Sequence, residues 1–143
     1  MPEVSFNTSE LTVQESKVTQ VLAHFKIERN GYDLSSQTTV FYTSLIRPPH
    51  DRATLHEDFE LFARGECGEG VGCVDFARGQ TEVELSVRIM PDNLQEGNES
   101  FHLFISDLTN GRRGRHELLR IIILDATERE CLCVCVSECC VCG

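Results

Sequence analysis

Apolar and polar residues alternate with period two along most of this chain, the mark of strands that keep one face in a core and one in water. Between Lys17 and Arg29 the odd positions Val21, Ala23, Phe25 and Ile27 are apolar. The even positions Gln20, His24, Lys26 and Glu28 are polar, with Leu22 the exception. Val83, Leu85, Val87 and Ile89 repeat the pattern against Glu82, Glu84, Ser86 and Arg88. Phe101, Leu103 and Ile105 repeat it less cleanly, because Phe104 stands between them. Thr38 to Ile46 is rich in β-branched and aromatic residues around Val40-Phe41-Tyr42, the composition that suits a pleated, half-buried surface. Leu118 to Leu124 is apolar except for Arg120, a run of the right length for a largely buried strand. Leu11 to Glu15 reads as a first short strand.

Turn chemistry divides these runs. Asn30-Gly31, Arg78-Gly79-Gln80 and Asn110-Gly111 punctuate them, and Pro48-Pro49 ends the Tyr42 strand because proline cannot donate to a ladder. No helical period of useful length appears. About seven short strands with turns between them predict an all-β fold, a two-sheet antiparallel sandwich of the immunoglobulin-like kind. Phe25, Ile27, Leu85, Val87, Phe101 and Leu103 are the expected shared core. Pro48 to Val71 is the longest irregular segment and is expected to be an exposed loop holding one short strand, Phe59 to Phe62. The 143 residues fit one domain, placed at residues 1–125, with residues 126–143 a Cys-rich tail outside the fold.

Charge and cysteine narrow the function. With 23 acidic residues against 13 basic ones the formal net charge is −10. That balance argues against a nucleic-acid surface and suits a cationic partner, a metal ion included; it equally suits a surface kept soluble by its acid. No run of 18 apolar residues exists, so no transmembrane helix is expected. The Met1-Pro2-Glu3-Val4 start lacks the features of a signal peptide, and a segment of a longer secreted chain is the favoured explanation. Six of the eight cysteines, Cys131, Cys133, Cys135, Cys139, Cys140 and Cys142, crowd the tail. They read either as a thiolate metal cluster or, because Leu and Val separate them and neither His nor Lys accompanies them, as a stretch foreign to the fold. Cys67 and Cys73 flank a Gly-rich loop that either closes with a disulfide in a secreted protein or carries two free thiols.

Three segments resemble the Calx-β domain family, known from sodium/calcium exchangers and from extracellular adhesion and matrix proteins. Val4-Ser5-Phe6 followed by Leu11-Thr12-Val13-Gln14-Glu15 is similar to the family's opening strand with its acidic end. Val40-Phe41-Tyr42-Thr43 leading to Glu57-Asp58-Phe59 is similar to its strand, long turn and Asp-aromatic pair. The most specific segment is Val74-Asp75-Phe76-Ala77-Arg78-Gly79-Gln80-Thr81, followed by Val87-Arg88-Ile89-Met90-Pro91-Asp92-Asn93-Leu94-Gln95-Glu96-Gly97-Asn98-Glu99-Ser100-Phe101. The resemblance spans about Val4 to Asp125. It implies calcium at one end of the sandwich, with Glu15, Asp58, Asp92, Glu96, Glu99 and Asp125 at the matching positions. Calcium takes six to eight hard oxygen ligands. Pro91, however, replaces a second Asp beside Asp92, and Asp125 alone remains of an expected acidic run, so weak binding is the expectation.

Other constellations carry less. His56-Glu57 and His116-Glu117 begin like zinc-protease signatures but lack the second His, and no nucleophile elbow or phosphate loop is present. Asn7-Thr8-Ser9 and Asn98-Glu99-Ser100 are glycan acceptor sequons. Arg112, Arg113 and Arg115 form a basic hairpin tip, read first as a solvated turn. The expected function is therefore that of a non-enzymatic, calcium-linked structural or adhesion module within a larger extracellular matrix or cell-surface protein. Its partners would be neighbouring domains or matrix proteins, with no nucleic acid and no membrane insertion by this segment. The competing expectation is a cytosolic calcium-sensing regulatory domain of a membrane transporter.

Overall fold

In the computed structural model, the described residues are 2–125 apart from 17, 32, 49–50, 52, 54–57, 63–66, 68–70 and 92–96. Every element among them is a β-strand. In chain order these are β1 (Glu3–Phe6), β2 (Glu10–Gln14), β3 (Val21–Asn30), β4 (Thr38–Leu45), β5 (Phe59–Phe62), β6 (Val71–Phe76), β7 (Glu82–Ile89), β8 (Glu99–Leu108), β9 (Arg112–Arg113) and β10 (Leu118–Leu124). They form two five-stranded sheets, ordered β5-β7-β3-β1-β9 and β2-β10-β8-β4-β6. The alternating segments became the long central strands, as period-two patterning requires when one face packs on a core. All six expected core residues are buried, joined by Val4, Phe6, Tyr42, Phe59, Phe76 and others. Leu22, the apolar residue out of register in β3, points outward and is 42% exposed.

The strand count exceeds the expected seven because β1, β6 and β9 are additional pieces. The first segment splits: Phe6 ends β1 in one sheet, and by Glu10 the chain pairs in the other. This crossing makes β2 run parallel to the last strand β10, and β1 parallel to the two-residue β9; the remaining pairings are antiparallel. The basic hairpin tip is exposed, as a solvated turn should be, but its arginines have partners. Arg113 Nε donates to the Ile105 carbonyl at 2.8 Å and its guanidinium lies over the Phe104 ring, 5.4 Å from the centroid. Arg112 pairs with Glu3 at 3.0 Å. Asn110 takes the left-handed conformation at the turn, φ 55°, which Asn tolerates better than most side chains.

One inward position carries a charge. Arg29 continues the odd register of β3 and is 1% exposed. Its guanidinium donates to the carbonyls of Gln80 (3.1 Å), Ser36 (2.7 Å) and Ala77 (2.7 Å) and to Thr38 Oγ1 (3.1 Å), and it lies over the Phe76 ring. Burying a cation is tolerable only when its donors are satisfied. Here one planar fork ties the loop before β4 to the turn between β6 and β7.

Candidate functional site

The acidic end of the sandwich is assembled by register. Gln14 pairs with Leu124 and Glu99 with Ile123, so the residue after β2, the first residue of β8 and the residue after β10 lie side by side at one edge of one sheet. Across the sandwich, Phe59 pairs with Ile89 at the start of β5. Phe59 also stacks face to face on Phe101, with centroids 3.6 Å apart. That stack brings Asp58 to the same end as Glu99. Four of the candidate carboxylates, Glu15, Asp58, Glu99 and Asp125, thus occupy one end of the fold, contributed by both sheets. Asp92 and Glu96 lie outside the described residues, as do Glu57 and the tail cysteines.

Backbone and side-chain bonds hold this end. Glu15 N donates to the Leu124 carbonyl at 3.0 Å, and the Glu15 side chain is buried. Asp125 accepts the Gly97 amide on Oδ2 at 3.2 Å, donates its own amide to Asn98 Oδ1 at 3.1 Å, and receives Gln14 Nε2 on its carbonyl at 2.7 Å. Met90 N donates to the Asp58 carbonyl at 3.0 Å. These bonds fix where the carboxylates sit without bringing them into a ligand cage. Among the described residues no three His, Cys, Asp or Glu side chains are grouped closely enough to hold a metal ion. The described carboxylates by themselves therefore do not fit a six-to-eight-oxygen calcium site.

Beside this end lies a polar cluster that the sequence did not announce. The segment after β4 turns back over the outer face of β8. There Asp51, 3% exposed, accepts Ser100 Oγ at 2.6 Å and the Arg47 amide at 2.9 Å, and meets His102 Nδ1 at 2.7 Å. Ala53 N bonds the Ser100 carbonyl at 3.2 Å. Burial pushes the Asp51 carboxyl up. The hydrogen bonds from Ser100, His102 and the Arg47 amide, with the charge of His102, outweigh burial and hold it below the ordinary carboxylate value. The arrangement is no nucleophile triad, because the carboxylate and not the imidazole receives the serine hydroxyl. Period two places Ser100 and His102 on one face of β8; only the fold of the crossover brings Asp51 to them.

Cys67 and Cys73 are joined in a disulfide, with Cα atoms 5.9 Å apart. Cys73 lies in β6, opposite Phe41 of β4.

A family model described as the Calx-beta domain matches residues 1–127. No relative among curated proteins matches the chain. Among solved structures, the apo form of the Calx CBD1 domain superposes with a TM-score of 0.68 at 20% identity, covering 88% of this chain and 98% of that one. The calcium binding domain CBD12 of CALX1.1 gives 0.67 at 20% identity, covering 86% of this chain and 45% of that one. The Calx CBD2 domain gives 0.66 at 16% identity, covering 89% and 88%. At such identities these likenesses establish the two-sheet fold.

Proposed function

The chain belongs to the Calx-beta domain family, a family of binding and regulatory domains, and from that premise we propose that it is a non-enzymatic, calcium-linked structural or adhesion module of a larger extracellular or cell-surface protein. The observation that carries the extracellular reading is the Cys67–Cys73 disulfide, because such bonds persist in oxidising compartments and are rare in the cytosol. Calcium would bind at the acidic end. Glu15, Asp58, Glu99 and Asp125 would be completed by Asp92 and Glu96, and the ion would offset the mutual repulsion of these carboxylates. With Pro91 in place of a further Asp, the affinity should be weak, roughly 0.1 to 1 mM, which extracellular calcium still occupies. Fixed in this way, the domain would act as a stiff spacer or a docking face for neighbouring domains or matrix proteins.

A second reading is a cytosolic calcium-sensing domain of a membrane transporter. It is favoured by the likeness to the apo Calx CBD1 domain and to the calcium binding domain CBD12 of CALX1.1. Titration calorimetry and thermal melts with calcium and with chelator test the shared part. No heat and no melting shift at several millimolar calcium would reduce the six carboxylates to fold signature. A shift that persists in the double variant Glu96→Gln, Glu99→Gln would put the ion elsewhere. Peptide mapping of protein taken from its own compartment separates the two readings: Cys67 linked to Cys73 supports the extracellular one, and two free thiols support the cytosolic one.

A further inference from the structure

On the outer face of the β2-containing sheet, one row of paired residues runs from Glu10 through Arg120 to His102 and Leu45. Arg47, on the segment that turns back over this face, joins Arg120 and His102 around an open pocket of about 440 Å³ walled also by Pro48. Three basic side chains from three separate parts of the chain thus meet on a protein whose net charge is −10. Their partners are few. Among the described residues the Arg120 side chain makes one long contact, to Glu10 at 3.5 Å between partly exposed groups, which leaves most of its five donors available. The Arg47 side chain has no hydrogen-bond or ion-pair partner among the described residues. His102 is different: the buried Asp51 carboxylate, itself held by Ser100 and the Arg47 amide, grips its Nδ1 at 2.7 Å.

That grip decides what the pocket accepts. With Nδ1–H donated to Asp51, the far nitrogen of His102 is the one left for a ligand, as with the carboxylate-backed histidines of metal sites. Two guanidinium groups around the same pocket repel a metal cation. With both ring nitrogens protonated, His102 instead offers a second N–H beside two planar guanidinium forks, a donor set matched to a tetrahedral oxyanion. The surrounding acidity then sets the size of the ligand: a long polyanion would be repelled beyond the pocket, whereas one compact anion would not. We propose that Arg47, His102 and Arg120 form a binding site for a single phosphate- or sulfate-type oxyanion, separate from the carboxylate end, with Asp51 as the residue that orients His102.

The charged groups facing His102 are Asp51 beneath it, Arg120 on the neighbouring strand with its partner Glu10, and Arg47 on the crossover. The test is a calcium-free nuclear magnetic resonance titration of the whole chain with inorganic phosphate, inorganic sulfate, acetate and heparin in parallel. Expected are saturable shifts at Ser100 to Leu103 and at Arg120 with phosphate and sulfate. Arg47→Gln should weaken binding about tenfold, the loss of one charge-assisted contact, with its melting temperature unchanged because the side chain has no described partner. His102→Gln should likewise weaken binding. The proposal is overturned if phosphate and sulfate leave these resonances unmoved at tens of millimolar, or if Arg47→Gln binds as the parent does. It also fails if acetate binds as tightly as phosphate, or if heparin binds tighter than free sulfate.

Discussion

Replacing Tyr42 by Phe should stabilise this domain. Tyr42 is 0% exposed, packed edge-on against Phe25 with centroids 6.0 Å apart. It stands opposite Gly72 of β6, where an added Cβ would collide with the ring. Its hydroxyl has no hydrogen-bond partner among the described residues. A buried hydroxyl left unbonded costs about 1 to 3 kcal/mol of lost hydration. Removing one oxygen leaves a void too small to offset more than part of that, so Tyr42→Phe should gain about 1 kcal/mol, or roughly 3 to 5 °C in melting temperature for a domain of this length. A second signature follows from the phenol's acidity. Burial pushes the Tyr42 pKa up to about 12, so the unfolded chain loses this proton first as pH rises above about 10. The folded state's advantage is complete below about pH 10 and drains away between 10 and 12, by about 2 to 3 kcal/mol in all. Phenylalanine has no such proton, so the alkaline limb of the stability curve should flatten in the variant. Denaturant melts of both proteins at neutral and alkaline pH measure both effects. A variant less stable by 1 kcal/mol or more, with an alkaline limb that superposes on the parent's, would mean that the hydroxyl is bonded and the reasoning is wrong.

Three further outcomes are expected. Arg29→Met should cost about 2 to 4 kcal/mol, because several carbonyls lose a charged donor while water at the loops recovers part of the loss; a melting temperature within a degree or two of the parent would contradict the bracing role. The folded-state pKa of Asp51 lies below its ordinary value, so its contribution is fully present above the unfolded value near 3.9 and is lost as pH falls below it. Asp51→Asn should therefore destabilise at neutral pH by about 1 to 3 kcal/mol and show a shallower acid limb, and parallel acid curves would count against it. Removing residues 130–143 should move the melting temperature by no more than the few degrees that about 1 kcal/mol represents, since the last strand among the described residues ends at Leu124; a larger fall would make the tail structural.

Local pattern alone determined the class of this protein. Period-two alternation in residues 21–29, 83–89 and 101–105 specified strands and named their inward faces, because side-chain direction in a strand depends only on parity. Arg29 extends the same odd-numbered row, but its type argued for the surface, and only the structure showed it buried. The turn at Asn110-Gly111 and the resemblance carried by residues 74–81 and 87–101 were likewise local. What residue order leaves open is which strand lies beside which. Strand pairing joins segments far apart in sequence, so only tertiary structure set β2 parallel to β10 and β1 parallel to β9. The same distance hid the Asp51, Ser100 and His102 cluster and the Arg47, His102 and Arg120 pocket: Ser100 and His102 share one face of β8, but Arg120 reaches His102 through strand pairing, and Asp51 and Arg47 arrive only because the crossover from β4 folds back over β8. Glu15, Glu99 and Asp125 were each readable as acids at strand ends. Their arrival at one edge with Asp58 followed from register and from the stacking of Phe59 on Phe101, a contact between two sheets that no one-dimensional pattern encodes.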